Sequence, residues 1–227
     1  GDYTLAAQDR RAAQATQFLA RLDAIPAASL DAPTKVEAGI LRRSLNSAIE
    51  GNRFGQRAIN FTTYSSWHQQ LAGMAQNLPF KTKRDFESYN VRLTQYARAN
   101  DENIAVANVA IKGKFTQACE TLNGFEGTIS GLIAPDIRRS RFFGPYAGKR
   151  PENISETDFA ILAANAEATI RTVVYPALNK QLAWYTTSYK PACAKAPGVS
   201  AQPGGDKYYA FRVREETTTS LTAEQIH

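Results

Sequence analysis

Apolar residues return at three- and four-residue steps through most of this 227-residue chain, which places them on one face of a helix and not on alternate faces of a strand. Over residues 4 to 25 the positions are Leu5, Ala12, Ala15, Leu19 and Leu22, and Pro26 stops the run. A second stretch, SLDAPTKVEAGILRRSLNSAIEG, has Ser29 or Asp31 as cap, Pro33 in the first turn, the stripe Val36, Ile40, Leu41, Leu45 and Ile49, and Gly51 past the end. Ser65 or Ser66 opens a short third helix through Trp67, Leu71 and Met74, ending before Pro79. Thr82 leads a fourth along Phe86, Tyr89, Leu93, Tyr96 and Ala97. Asp101 caps a fifth, which runs from Ile104 through Cys119 and Leu122 to Gly124. Ser155 opens the longest stripe, Phe159 to Tyr185, in which Pro176 predicts a kink or a break.

Two regions depart from this pattern. Residues 123 to 153 carry repeated glycines and prolines and read as a long connection with a short helix around Ile129 to Ile133, either contact-forming or simply wrapping a neighbour. After Pro191 a turn-rich segment leads into DKYYAFRVREETTT, whose steps of two place Tyr209, Phe211 and Val213 on one side and Tyr208, Arg212 and Arg214 on the other. That alternation predicts a strand over 207 to 214. The expected class is therefore mainly α: an antiparallel helical array over 1–195, then a turn, one β-strand and the start of a helix over 196–227.

A lone strand cannot satisfy its own backbone groups, so a partner strand is expected from elsewhere. Thr222 and Gln225 form a capping box at which a helix starts, with only Ile226 and His227 after it, too few residues to offset the cost of nucleation. Both features lead us to expect the front part of a longer protein. The alternative is a complete helical domain with an irregular tail.

A hydrophobic content of 43% against 21% charged suffices for a sizeable core and argues against disorder. No stretch has the continuous apolar length of a membrane-spanning helix. The net charge of +6 comes from 27 basic residues interspersed with 21 acidic ones. The densest basic group, Arg138, Arg139 and Arg141 beside Phe142 and Phe143, reads as a solvated loop or, second, an anion or nucleic-acid contact. Nucleic acid is not the expected partner. Cys119 and Cys193 are too far apart for a metal knuckle or a redox CxxC motif, and either pair across the fold or stay as buried thiols.

Catalytic signatures are sparse. With His68 and His227 as the only histidines, HExxH cannot occur. The chain has no GxSxG, and the PGG at 203 to 205 is expected to precede a strand, which is the wrong element for a phosphate cradle. His68, beside Trp67, reads as an ordinary histidine on a helix, not a catalytic base.

The tail QPGGDKYYAFRVREETTTSLTAEQIH, Gln202 to His227, closely resembles the lPgG…Y…vr…TT…lTpeeIH segment of the bacterial domain-of-unknown-function family 885. Looser similarity in the same order covers LARLDAIPAASLDAPTKVEAGILRRSL, NLP at 77 to 79, DFESYNVRL at 85 to 93 and YPALNKQLAWYTTSYKPAC at 175 to 193. The resemblance implies a mostly helical, exported or lipid-anchored protein longer than this chain, similar to zinc-dependent peptidases of the carboxypeptidase Taq and gluzincin group. Their HExxH-like motif lies in the C-terminal half, so zinc belongs to the full-length parent and no ligand or catalytic residue transfers to a position here. The expectation is the cleft-forming N-terminal half of a peptidase-like hydrolase, inactive alone, whose partners are its own C-terminal half and a peptide. Tyr208, Arg212 and Arg214 would face that peptide from the strand. The alternative is a self-contained helical binding protein that uses the Arg138 to Phe143 loop or a helical groove. Periplasmic or cell-surface residence is also an implication of the resemblance.

Overall fold

The computed structural model describes Asp2 and residues 4–226. His227, the second histidine and the last residue of the resembling tail, lies outside the described residues. Among those residues the regular structure is helical, with one isolated bridge between Ala118 and Ala194. In chain order the helices are α1 Leu5–Asp23, α2 Ala32–Gly51, α3 Trp67–Gly73, α4 Lys83–Thr94, α5 Tyr96–Gly113, α6 Phe125–Ser130, α7 Gly144–Ala147, α8 Glu156–Thr169, α9 Tyr175–Trp184, α10 Gly205–Thr217 and α11 Ala223–Ile226.

Side-chain caps place many of these starts. The Asp31 carboxylate accepts from Thr34 N–H at 2.9 Å, and the Ser155 hydroxyl accepts from Asp158 N–H at 3.1 Å. Thr82 and Asp85 close a reciprocal capping box. So do Thr222 and Gln225, where Thr222 N–H donates to Gln225 Oε1 at 2.9 Å. These side chains satisfy amide groups that a helix N-terminus leaves without partners. The break between the fourth and fifth helices falls at Gln95, and Asp101 sits inside α5, where Lys180 pairs with it at 2.7 Å. Cys119–Leu122 forms a separate 3-10 turn beyond the end of that helix.

Pro176 splits the longest stripe as its chemistry requires. A π turn at Ile170–Val174 precedes it, with Tyr175 N–H donating to Ile170 O, five residues back. The wider turn absorbs the missing donor and the ring clash that proline brings to a helix. The same device recurs at Tyr185–Tyr189, before Pro191.

The expected strand over 207–214 is instead α10, so the PGG does lead into a helix. The alternation was ambiguous, because Tyr208, Phe211, Arg212 and Glu215 also repeat at helical spacing. Arg212 pairs with Glu215 and Glu216 at three and four residues' distance, which supports a helix. Gly204 opens it at φ +70°, and Gly205 must lack a side chain because a Cβ there would overlap the Val199 carbonyl. A helix pairs its own backbone, so the argument from an unpartnered strand to a missing partner strand falls away.

The chain divides into two compact units, Gly1–Ile59 with Val109–Ala118 and Ala194–His227, and Asn60–Asn108 with Cys119–Cys193. The first unit is built on the α1–α2 pair and α10. Its apolar centre is small: Phe54, Phe115, Tyr208 and Phe211 meet edge-on or tilted at ring separations of 5.2 to 5.7 Å, with Phe211 against Gly51. No residue of α2 is fully buried, and its apolar stripe leaves Val36 63% and Ile40 62% exposed.

The second unit has an aromatic core. Phe125, Phe142, Tyr185 and Tyr189 are wholly buried. Phe61 packs on Trp67, Phe125, Trp184, Tyr185 and Tyr189. The glycine-rich connection wraps this unit, placing Phe125, Ile129 and Phe142 in its interior. Cys119 and Cys193, the first and last residues of this unit's second stretch of chain, are joined in a disulfide.

Candidate functional site

In the first unit α10 forms one wall of two clefts. Tyr208, Phe211, Arg212 and Glu215 line a cleft of about 410 Å³ together with Gln8, Arg11, Ser47, Gln56 and Arg57. Phe211, Arg214, Glu215 and Thr219 line one of about 240 Å³ with Arg43, Asn46, Ser47 and Glu50. Tyr208 and Arg212, four residues apart, share a helix face. Arg214 turns away toward the smaller cleft. The three residues picked from the strand pattern therefore divide between adjoining clefts, with Phe211, Glu215 and Ser47 common to both.

The arginines are held by carboxylates and carbonyls of the same unit. Arg212 pairs with Glu215 and Glu216, and Arg214 donates to Glu50 at 2.6 Å. Arg57 pairs with Asp9 and donates to Asn52 Oδ1 at 3.0 Å. Hydrogen bonds from Asn52 and Arg57 keep the Asp9 carboxyl below its usual range. Arg43 reaches from α2 to the C-terminus of α10 and donates to the Arg214 and Glu215 carbonyls at 2.6 and 2.9 Å. A cation there meets the negative end of the helix dipole. Burial raises the Tyr208 hydroxyl pKa, so Tyr208 stays a neutral donor. Thr218, which follows α10, lies at φ +59°, a region that β-branched residues rarely enter.

The sequence reading missed Arg11, Arg43 and Arg57. The one signal for Arg43 was its spacing: with Ser47 and Glu50 it shares the face of α2 that carries Val36 and Ile40. Arg138, Arg139 and Arg141 are exposed, with Arg138 paired to Glu167 at 3.3 Å, while Phe142 and Phe143 beside them are core residues.

His68 is a core residue of the second unit. Gln181 Nε2 lies 2.8 Å from its Nδ1, Thr128 Oγ1 lies 3.0 Å from its Nε2, and Ser66 Oγ lies 2.8 Å from Nδ1. Thr128 donates onward to Phe125 O at 2.7 Å, which fits a neutral ring protonated on Nε2. Burial pushes the imidazole pKa down to about 4. A serine beside a histidine is the beginning of a nucleophile pair. Here both are fully buried, no carboxylate orients the ring, and neither residue lines a cleft described above. The cluster is a satisfied polar node within the core. Among the described residues no three His, Cys, Asp or Glu side chains converge as metal ligands, so no catalytic step through zinc is derived for this chain.

By its elements this is an all-α protein. The sequence matches the family described as bacterial protein of unknown function (DUF885) over residues 1–227, and the chain belongs to that family. Curated proteins give no match. Among solved structures it is similar to a protein assigned as a lipoprotein from Colwellia psychrerythraea, with TM-score 0.83 and 18% identity. The likeness covers 100% of this chain and 41% of that one, and at this identity it speaks for the fold alone. No described helix is long and apolar enough to cross a membrane.

Proposed function

We propose that this chain is the cleft-forming N-terminal portion of a longer, exported peptidase-like hydrolase, and that it binds the carboxylate of a peptide while zinc chemistry resides downstream of it. The observation that carries the binding role is the pair of arginine-lined clefts on α10. Arg212 and Arg214 are 42% and 46% exposed and held by surface ion pairs, which contribute about 0 to 1 kcal/mol each, so a peptide carboxylate can exchange with Glu216 or Glu50 at small cost. Tyr208 supplies a neutral donor beside Arg212. Forked guanidinium groups suit a carboxylate, and the all-helical wall recognises it by side chains, without strand pairing.

Length supports the larger protein, since the solved structure of the same fold extends well beyond the matched part. The Cys119–Cys193 bridge supports an oxidising compartment, the periplasm or cell surface, in keeping with the lipoprotein assignment of that structure. Zinc enters through the resemblance of that family's members to zinc-dependent peptidases, with its ligands outside residues 1–227.

The test is peptide turnover by the full-length protein with Arg212→Ala and Arg214→Ala combined. The expected result is a KM raised about tenfold or more, equivalent to about 1.4 kcal/mol, with kcat largely retained. Unchanged turnover would refute the carboxylate role.

A further inference from the structure

The clefts occupy one end of a longer face. α10 runs antiparallel to α2: Phe211 lies against Gly51, Arg214 pairs with Glu50, Ser47 donates to Glu215 at 3.4 Å, and Arg43 holds the last carbonyls. Beyond Arg43 the same face of α2 continues through Ile40 to Val36, by helical spacing, with nothing seated on it. On α1, Arg11 lines the larger cleft, and Phe18, seven residues on, shares its face and is 52% exposed. Ile25, just past the end of α1 with its N–H on Leu22 O at 3.2 Å, is 45% exposed. An arginine-lined groove, filled by α10, thus continues into an exposed apolar groove, where the Arg21 guanidinium lies over the Phe18 ring at 5.5 Å to its centroid.

The chain returns to this place after α10. Thr219 lines the smaller cleft beside Arg43 and Asn46, and the Thr222 capping box then turns the backbone into α11, whose neighbourhood exposes Leu221 and Ile226. A solvated protein surface does not ordinarily line up four large apolar side chains on one groove.

We propose that the polypeptide following residue 227 in the longer protein docks an apolar helix face into the groove formed by Phe18, Ile25, Val36 and Ile40, extending the seat that α10 begins. This rests on the reading that such a continuation exists. The segment follows Thr219, which lines the cleft beside Arg43, by fewer than ten residues, so its effective concentration at the groove exceeds that of any free partner. The interface already formed by α10 sets its direction along α2, toward Val36. The groove would then be interior in the complete protein, and the arginine clefts would gain a third wall.

The experiment uses the full-length protein, with its intact mass measured first. Ile40→benzoylphenylalanine is then photoactivated, and the cross-linked peptides are mapped. Hydroxyl-radical footprinting of the unmodified protein accompanies it, so that a folding defect in the variant leaves a second readout. The expected result is cross-links to peptides beyond residue 227, with Val36 and Ile40 oxidised at least fivefold less than the exposed Val91. Cross-links only within residues 1–226, or to a second copy, or full oxidation of Val36 and Ile40 in a protein whose mass shows the continuation, would overturn the docking and leave the proposed function standing. A mass ending near residue 227 would overturn both.

Discussion

The two units differ in how much of their stabilisation comes from buried apolar packing. In the second, Phe61, Phe125, Phe142, Tyr185 and Tyr189 are buried to a few per cent or less, and buried hydroxyls reach backbone carbonyls, Tyr89 to Phe142 at 2.9 Å and Tyr185 to Leu122 at 3.3 Å. In the first, the helix pair α1–α2 buries little beyond Ala7 and Ala15, and α10 is held by the small cluster of Phe211 and Tyr208 with Phe54 and Phe115 together with charged side chains. Dense apolar packing contributes about 1.5–3 kcal/mol per large side chain, whereas exposed ion pairs contribute about 0 to 1 kcal/mol. The second unit is therefore the anchor, and the first has a face that a ligand or further chain can occupy without dismantling a core.

The largest predicted contrast is in core truncation and covalent closure. Phe125→Ala should cost about 3–5 kcal/mol in denaturant unfolding. Replacing Cys119 and Cys193 by Ser together should cost about 4 kcal/mol, since the bridge spans a sequence separation of 74 residues. If either cost less than about 1 kcal/mol, the second unit would not be the anchor.

Next comes pH. Unfolded His68 binds a proton below its ordinary value of 6.5, but the folded ring resists until about 4. The contribution is fully present above pH 6.5 and is lost as pH falls toward 4, by about 3 kcal/mol over that window. His68→Gln should flatten the pH dependence there. The carboxyls with lowered pKa in the first unit, such as Asp9 and Asp31, act below that window, as pH falls through about 4 and lower. An unchanged slope in the variant would remove His68 as its source.

Smaller effects belong to the first unit. Arg43→Ala should loosen the end of α10 by about 1 kcal/mol, read as faster hydrogen exchange confined to that helix. Thr218→Gly should stabilise by up to about 1 kcal/mol, because glycine adopts the left-handed conformation without a side-chain clash. If Arg43→Ala instead unfolded the whole protein, the contrast between the units would fail.

Much of this was legible in the sequence where a local signal decides the outcome. Asp31, Thr82, Ser155 and Thr222 cap helices as read, and Pro176 interrupts its stripe, because caps and proline act through neighbouring backbone. The strand failed because a short run around Tyr208 and Arg212 fits both periods, and the choice went to the ion pairs and the glycine start of α10. The exposure of Val36 and Ile40 is not legible in the sequence, since periodicity reports that a face is apolar and not what covers it. Of the candidate site, Tyr208, Arg212 and Arg214 were picked out, but Arg11, Arg43 and Arg57 were not. Their place in the clefts follows from how α1 and α2 meet α10, which no local pattern in those helices records.

The most direct test of the central proposal is the intact mass of the natural gene product, measured with its metal content. The account predicts a polypeptide extending well past residue 227 and carrying about one zinc per chain, the stoichiometry of a single catalytic site. A product ending near residue 227 and free of stoichiometric metal would contradict it, and would leave a helical binding protein in place of part of a hydrolase.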